Sequence, residues 1–216
     1  MNILRHLSSV TFAALLITGC SSSTTGSATQ PEKAATPSAA PEVITAKTAF
    51  VITAKTAFWE MYKTAHAWSS DAEPIRVTAR EISGYKNEAG KAGMWEAVFG
   101  SSSLGMYRTF TDAIADAPGI AKGVSVGLAL PWHGATRDAM AIDTSQFQID
   151  SDAAYTAAAA DAAAWIKNNP GKEVSDFEIG DTYKFAAPVW YVMWGTKASG
   201  YAAIVDASTG KVVSHK

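Results

Sequence analysis

Hydrophobic residues follow two different periods along the chain. Over residues 58–68 they recur every three or four positions, which is the spacing of one helix face made of Phe58, Met61, Tyr62, Ala65 and Trp68. The pattern predicts that this helix ends in residues 69–71, before a proline. Over residues 75–82 the period becomes two, which predicts a strand with Ile75, Val77 and Ala79 on one face.

The same order of elements occurs twice. After the first helix and strand, two more strands are predicted at 94–99 and 104–111, joined through residues 100–103. Residues 150–152 then supply helix-capping chemistry for a helix over 153–167, which should end at the Asn-Asn-Pro-Gly of 168–171. Its predicted buried face is Tyr155, Ala158, Ala159, Ala162 and Ile166. Strands are predicted at 174–179, 189–194, 201–205 and 211–213.

These elements predict an α+β protein with two helix-plus-antiparallel-sheet halves, at residues 51–118 and 147–216. A glycine-rich stretch, residues 119–146, should connect them as an irregular loop region. An internal duplication is one explanation of the repeated order. The halves either pack around one shared core or form two separate units, since the length allows one or two domains.

Composition agrees with a folded chain. The 216 residues are 48% hydrophobic, and the seven tryptophans are expected mainly as core side chains rather than ligand-stacking platforms. The net charge is -2, and neither sign forms a long run, so a nucleic-acid partner is not expected. Cys20 is the sole cysteine, which excludes an intramolecular disulfide and a zinc site built from cysteines.

The first residues have the pattern of a signal peptide. Arg5 precedes an apolar stretch, residues 7–17, which is too short to span a bilayer. Ile17, Thr18, Gly19 and Cys20 follow, and this sequence resembles the bacterial lipobox. The resemblance implies that residues 1–19 are removed and that Cys20 carries diacylglycerol and a further acyl chain, such as palmitate. An ordinary secretory signal with an incidental cysteine is the alternative.

Because Ser21 is not aspartate, the sorting rule of such lipoproteins implies an outer-membrane anchor facing the periplasm. Residues 20–50 should form a lipidated tether. Residues 21–42 contain no large apolar residue and three prolines, so they cannot bury enough surface to fold.

An eight-residue repeat follows the tether. VITAKTAF occupies residues 43–50 and again residues 51–58. Eight residues advance a helix by about 80° beyond two turns, so Phe50 cannot share the helix face of Phe58. We expect the second copy to belong to the fold and the first to be spare length.

The last third of the chain resembles PepSY-type domains over residues 147–213. The matching residues are Ile149, Asp150, Ser151 and Ala154 at the helix start, and Val205, Asp206, Ala207, Thr209, Gly210, Lys211 and Val212 at the final turn. The first half lacks both signatures and keeps only the element order. The resemblance implies a non-catalytic module that binds a protein or peptide in the cell envelope, or that restrains a peptidase.

A search for catalytic chemistry finds little. His66, His133 and His215 have no metal-binding spacing, and no nucleophile elbow or phosphate-binding loop is present, so we expect no enzyme activity, metal or cofactor. One loop, residues 130–138, combines Trp132, His133, Arg137 and Asp138 and could bind a ligand. The rival hypothesis is therefore an envelope hydrolase or carbohydrate-binding protein that uses this loop. Alternatively, Trp132 simply fills the seam between the halves.

Overall fold

The computed structural model describes residues 51–216. The predicted signal peptide and tether, with Cys20 and the first repeat copy, lie outside the described residues. The first half consists of α1 (Ala54–Trp68), β1 (Glu73–Arg80), β2 (Met94–Ser101), β3 (Met106–Ala113), β4 (Gly123–Val126) and β5 (Leu130–Pro131). The second half consists of α2 (Ser151–Asp161), α3 (Ala163–Asn168), β6 (Val174–Gly180), β7 (Val189–Trp194), β8 (Tyr201–Asp206) and β9 (Val212–His215).

All nine strands form one antiparallel sheet in the order β4-β3-β2-β1-β6-β7-β8-β9, with β5 beside β3. Each half is thus a helix followed by an antiparallel meander. The two meanders join at β1 and β6, which pair over three positions only: Arg76↔Gly180, Val77↔Ile179 and Thr78↔Glu178. The α+β prediction is confirmed.

The helices cover one face of this sheet. Side chains alternate across it, so paired residues such as Val77 and Ile179, and Ile179 and Trp190, point to the same side. Together with buried residues of α1 and α2 they form a single core. Of the predicted buried positions of the first helix, Phe58, Met61 and Ala65 are fully buried, whereas Tyr62 and Trp68 are partly buried against the same core.

The structure differs from the sequence prediction in several places: for example, α1 begins at Ala54 and β1 spans Glu73–Arg80. Residues 119–146 are not wholly irregular, because β4 and β5 extend the first meander into them. Gly100 and Ser101 belong to β2, so the connection to β3 begins at residue 102. The second helix begins at Ser151 and is divided into α2 and α3 at Ala162.

The two halves make matching contacts just before their helices. The indole Nε1 of Trp95 in β2 donates to the Ile52 carbonyl over 2.9 Å. The indole Nε1 of Trp190 in β7 donates to the Ile149 carbonyl over 3.0 Å. The buried helix positions match as well: Ala54, Ala57, Met61 and Ala65 in the first half have the same spacing as Ser151, Ala154, Ala158 and Ala162 in the second.

The first helical residues of the two halves, Ala54 and Ser151, are 97 residues apart and contact each other. The amide of Ala54 donates to Ser151 Oγ over 2.9 Å. Asp150 Oδ1 accepts from the amides of Ser151 (2.7 Å) and Lys55 (3.0 Å), whereas Thr53 makes no side-chain cap. One carboxylate therefore caps both helices, where their positive dipole ends favour a negative charge.

Candidate functional site

The sheet face opposite the helices carries a polar cluster at its centre. Register places Arg76, Thr78 and Arg80 of β1 on this side, together with Glu96, Glu178 and Tyr191 of the neighbouring strands. We call these six residues the central face. They follow from β-strand geometry, because every residue between two core positions must point away from the helices.

Ion pairs and hydrogen bonds connect the central face across three strands. Arg80 Nη2 lies 2.6 Å from Glu96 Oε1, and Arg76 Nε lies 3.8 Å from Glu178 Oε2. Thr78, which is buried, donates from Oγ1 to Glu178 Oε2 over 3.3 Å. The side chains of Arg76 and Arg80 remain 50% and 43% exposed, so both guanidinium groups can be reached from solvent.

The carboxylate of Glu178 is the least favourably placed charge in this cluster. Burial raises its pKa above the usual value, the nearby Asp176 raises it further, and Arg76 opposes the shift. Burial, with Asp176 and Glu178, also raises the pKa of Tyr191. A group that supplied hydrogen-bond donors here would stabilise the ionised carboxylate.

A cavity of about 590 Å³ lies at one end of the β1–β6 junction. Beyond Thr78 and Glu178 the two strands no longer pair, and Ala79, Arg80, Val174 and Asp176 line the opening between them. The rest of its wall includes residues 86–91 and the side chains of Tyr155, Ile166, Phe177 and Trp194. An exposed ion pair between Lys86 and Glu173 joins that loop to the start of β6. We call this cavity the junction cleft.

The opposite end of the same junction is filled by the chain itself. The amide of Met140 donates to the carbonyl of Asp181, just after β6, over 3.0 Å. The amide of Ile142 donates to the carbonyl of Pro74, near the start of β1, over 2.7 Å. The segment between the halves therefore lies between the two strands here, and Ile142 is buried.

The four residues predicted to bind a ligand occupy separate environments. The Trp132 ring lies against Gly100, where an added Cβ would come within 2.7 Å of ring atoms. Arg137 stacks on Tyr183 at 4.1 Å, while His133 and Asp138 are exposed. Within residues 51–216 no hydrogen bond, ion pair or ring contact joins two of the four. Trp132 covers the first half's sheet rather than the seam between the halves.

Asp71 and His66 make contacts within the fold. Asp71 accepts hydrogen bonds from Ser69, Ser101 and Ser103, which hold its pKa well below the usual value and connect the end of α1 to the β2–β3 turn. His66 stacks on Tyr62 at 4.1 Å.

The described residues contain no group of three or more potential metal ligands among His, Cys, Asp and Glu. Within that same range, no helix has the length and apolar character needed to cross a bilayer.

Comparison with known proteins gives little further guidance. No family model matches the chain, and no curated protein matches it. A solved structure from Clostridium difficile 630, described as a "putative lipoprotein", is similar over 74% of this chain and 91% of its own, at 9% identity and a TM-score of 0.47. These values are too low to assign a shared fold or function, and the PepSY resemblance stays a prediction.

Proposed function

We propose that this chain is a lipid-anchored protein of the cell envelope that binds a partner protein through the central face. The observation that carries the proposal is the cluster of partly buried charges on the helix-free side of the sheet. Arginine and tyrosine are enriched at protein interfaces, and Arg76, Arg80 and Tyr191 provide both. A partner with complementary charges would relieve the poorly solvated Glu178 carboxylate.

The anchor in this proposal is Cys20, in the outer membrane on its periplasmic side. Several acyl chains hold a protein durably at a bilayer, whereas one chain binds reversibly. Residues 20–50 would act as the tether. The partner would be an envelope protein such as a peptidase, held or restrained without catalysis by this chain.

The anchor is tested by mass spectrometry of the protein purified from native membranes. We expect a chain that begins at Cys20 and carries the mass of the lipid. The variant Cys20→Ser should leave the membrane fraction. An unmodified thiol on a chain that still begins at Met1 would contradict the anchor and leave the binding proposal without its setting.

The binding surface is tested by photo-crosslinking in cells. A crosslinking amino acid replaces Thr109, which lies beside the central face on β3, or Lys63, which is exposed on α1 as the matched control. We expect one protein band from the Thr109 position, its loss in the double variant Arg76→Glu/Arg80→Glu, and no band from Lys63. Equal crosslinking from both positions, or none from either, would refute the central face as the binding surface.

We also propose that the two halves descend from an internal duplication. The matching Trp95–Ile52 and Trp190–Ile149 hydrogen bonds support it, as do the equally spaced buried helix positions. On this view Ile52 and Ala57 are the first half's counterparts of Ile149 and Ala154, so a reduced form of the helix-start signature occurs in both halves.

A further inference from the structure

We infer that the junction cleft is the binding site for residues 43–50 of the same chain, in extended form. The inference rests on the equivalence of the two halves proposed above and not on the central face as a binding surface. It replaces the expectation that residues 43–50 are spare length of the tether. It rests on three observations: a cavity between two strand edges that do not pair with each other, a filled counterpart at the other end, and the place where the described chain begins.

The two ends of the junction are equivalent by register. Val77 and Ile179 pair at its centre. Pro74 and Asp176 each lie three residues before that centre, and Ala79 and Asp181 each lie two residues after it. At the filled end, the carbonyls of Pro74 and Asp181 accept from Ile142 and Met140. At the other end, their counterparts Asp176 and Ala79 line the junction cleft.

The helix starts identify the segment that corresponds to Met140–Phe147. Ala54 and Ser151 are equivalent and 97 residues apart. The same shift relates Val43, Thr45 and Phe50 to Met140, Ile142 and Phe147. The Val43 amide is therefore expected to donate to the Ala79 carbonyl and the Thr45 amide to the Asp176 carbonyl. Thr45 does not match its counterpart in polarity, because it is less apolar than the buried Ile142.

Phe50 is the side chain with the clearest expected place. Its counterpart Phe147 is buried between Phe58 (5.4 Å) and Trp190 (5.6 Å). The equivalents of those two rings are Tyr155 and Trp95, and Tyr155 lines the junction cleft. A phenyl ring at residue 50 would thus meet an aromatic wall, as Phe147 does in the other half.

The chain reaches the cleft without a long connection. Ile52 pairs with Ala92 through two backbone hydrogen bonds, and the adjacent residues Gly90 and Lys91 line the cleft. Eight extended residues span at most about 28 Å. This length is enough for residues 43–50 to run along the cleft from the position of Ile52. Val43, Ile44 and Thr45 are β-branched and suit a strand. Within residues 51–216 no backbone hydrogen bond joins the two strand edges at the cleft, which leaves a place for a further strand there.

The test compares two variants of the full chain that introduce the same charge. Phe50→Asp places it at the expected buried position, and Ala46→Asp places it at the position equivalent to the exposed Asp143. We expect Phe50→Asp to lower Tm by about 5–15 °C and to speed amide exchange at 79–81 and 174–176 at least tenfold. Ala46→Asp should change neither. Equal behaviour of the two variants would overturn the inference.

Disulfide trapping keeps the test decisive if Phe50→Asp does not fold. In a Cys20→Ser background, the pair Thr45→Cys and Asp176→Cys should oxidise to a disulfide, because hydrogen-bonded neighbouring strands place such residues within bonding range. The control pair Thr48→Cys and Asp176→Cys should not. No disulfide in the first pair, or exchange protection at 174–176 that appears only with added envelope extract, would show that residues 43–50 are not the occupant.

Discussion

The two halves build the same layer of core from helices that contribute different side-chain volumes. In the first half the helix supplies Phe58 and Met61, and the equivalent strand positions of β2 are Ala97 and Phe99. In the second half the helix supplies mainly alanines, such as Ala158, while β7 contributes Val192 and Trp194. Core density is a property of the sum of facing side chains, so volume can move between layers without a change of architecture.

The halves differ more at their helix starts. The second helix carries its own cap, Asp150, whereas Thr53 makes no side-chain cap and α1 depends on Asp150 and Ser151 instead. The first half is thus completed by residues of the second. The halves therefore pack in similar ways, but only the second half caps its own helix, and the first half depends on the second for this contact.

The largest expected effect tests whether the halves are equivalent in their cores. Trp95→Ala and Trp190→Ala each remove a fully buried indole with a hydrogen bond to the backbone. Both should lower the free energy of unfolding by about 3–5 kcal/mol, measured by urea denaturation. A loss that is large for one and under about 1 kcal/mol for the other would break the comparison.

A smaller effect sharpens the difference at the helix starts. Asp150→Ala removes the cap of two helices and should cost about 1–2 kcal/mol, measured in the same way. Thr53→Ala should cost only a few tenths of a kcal/mol, because Thr53 makes no side-chain cap. If the two substitutions cost the same, the shared cap is not what holds the start of α1.

The smallest effect concerns the charges beside the junction centre. Arg76 and Glu178 stand at equivalent positions, one residue before Val77 and Ile179. Because burial raises the pKa of Glu178, the folded state holds this proton more tightly than the unfolded state. Its contribution to stability is complete below the usual pKa of 4.5 and is lost as pH rises through the raised folded value.

Thermal unfolding from pH 4 to pH 7 checks this sign in low-salt buffer. Relative to Glu178→Gln, which cannot titrate, the unaltered chain should lose stability as the pH rises. The variant Glu81→Gln, next to β1, serves as the control and should follow the unaltered chain. Parallel curves for the unaltered chain and Glu178→Gln would show that burial does not shift this carboxyl.

Hydrophobic period was enough to predict most of the elements. It predicts the buried positions of α1, Val77 and Ala79 on the core face of β1, and the bounds of β7. Ile75 is an exception, because a register shift at this residue takes it out of the core face. The hydrophobic period could not predict that β1 and β6 are neighbours, because pairing between distant strands leaves no local signal. Without the β1–β6 register, the sequence does not indicate that Arg76 and Glu178 form an ion pair.

Two further features depend on contacts that sequence patterns do not encode. β4 has only four residues within a glycine-rich stretch, so the alternation of Val124 and Val126 with Gly123 and Ser125 is a weak strand signal. The Trp132 ring fits against Gly100 because glycine has no side chain there. The two residues are distant in the sequence, and only the fold brings them together. The start of the first helix was overlooked because Thr53 and Ala54 replace the Asp150 and Ser151 of the recognised signature.

The shared cap has a consequence for the order in which the protein can fold. A ribosome produces α1 almost a hundred residues before the carboxylate that completes its start. Until then the first turn of the helix has no cap, and the helix can pack only against the strands of the first half. A chain stopped before residue 150 should stay unstructured, so folding would begin late and proceed in a single cooperative step.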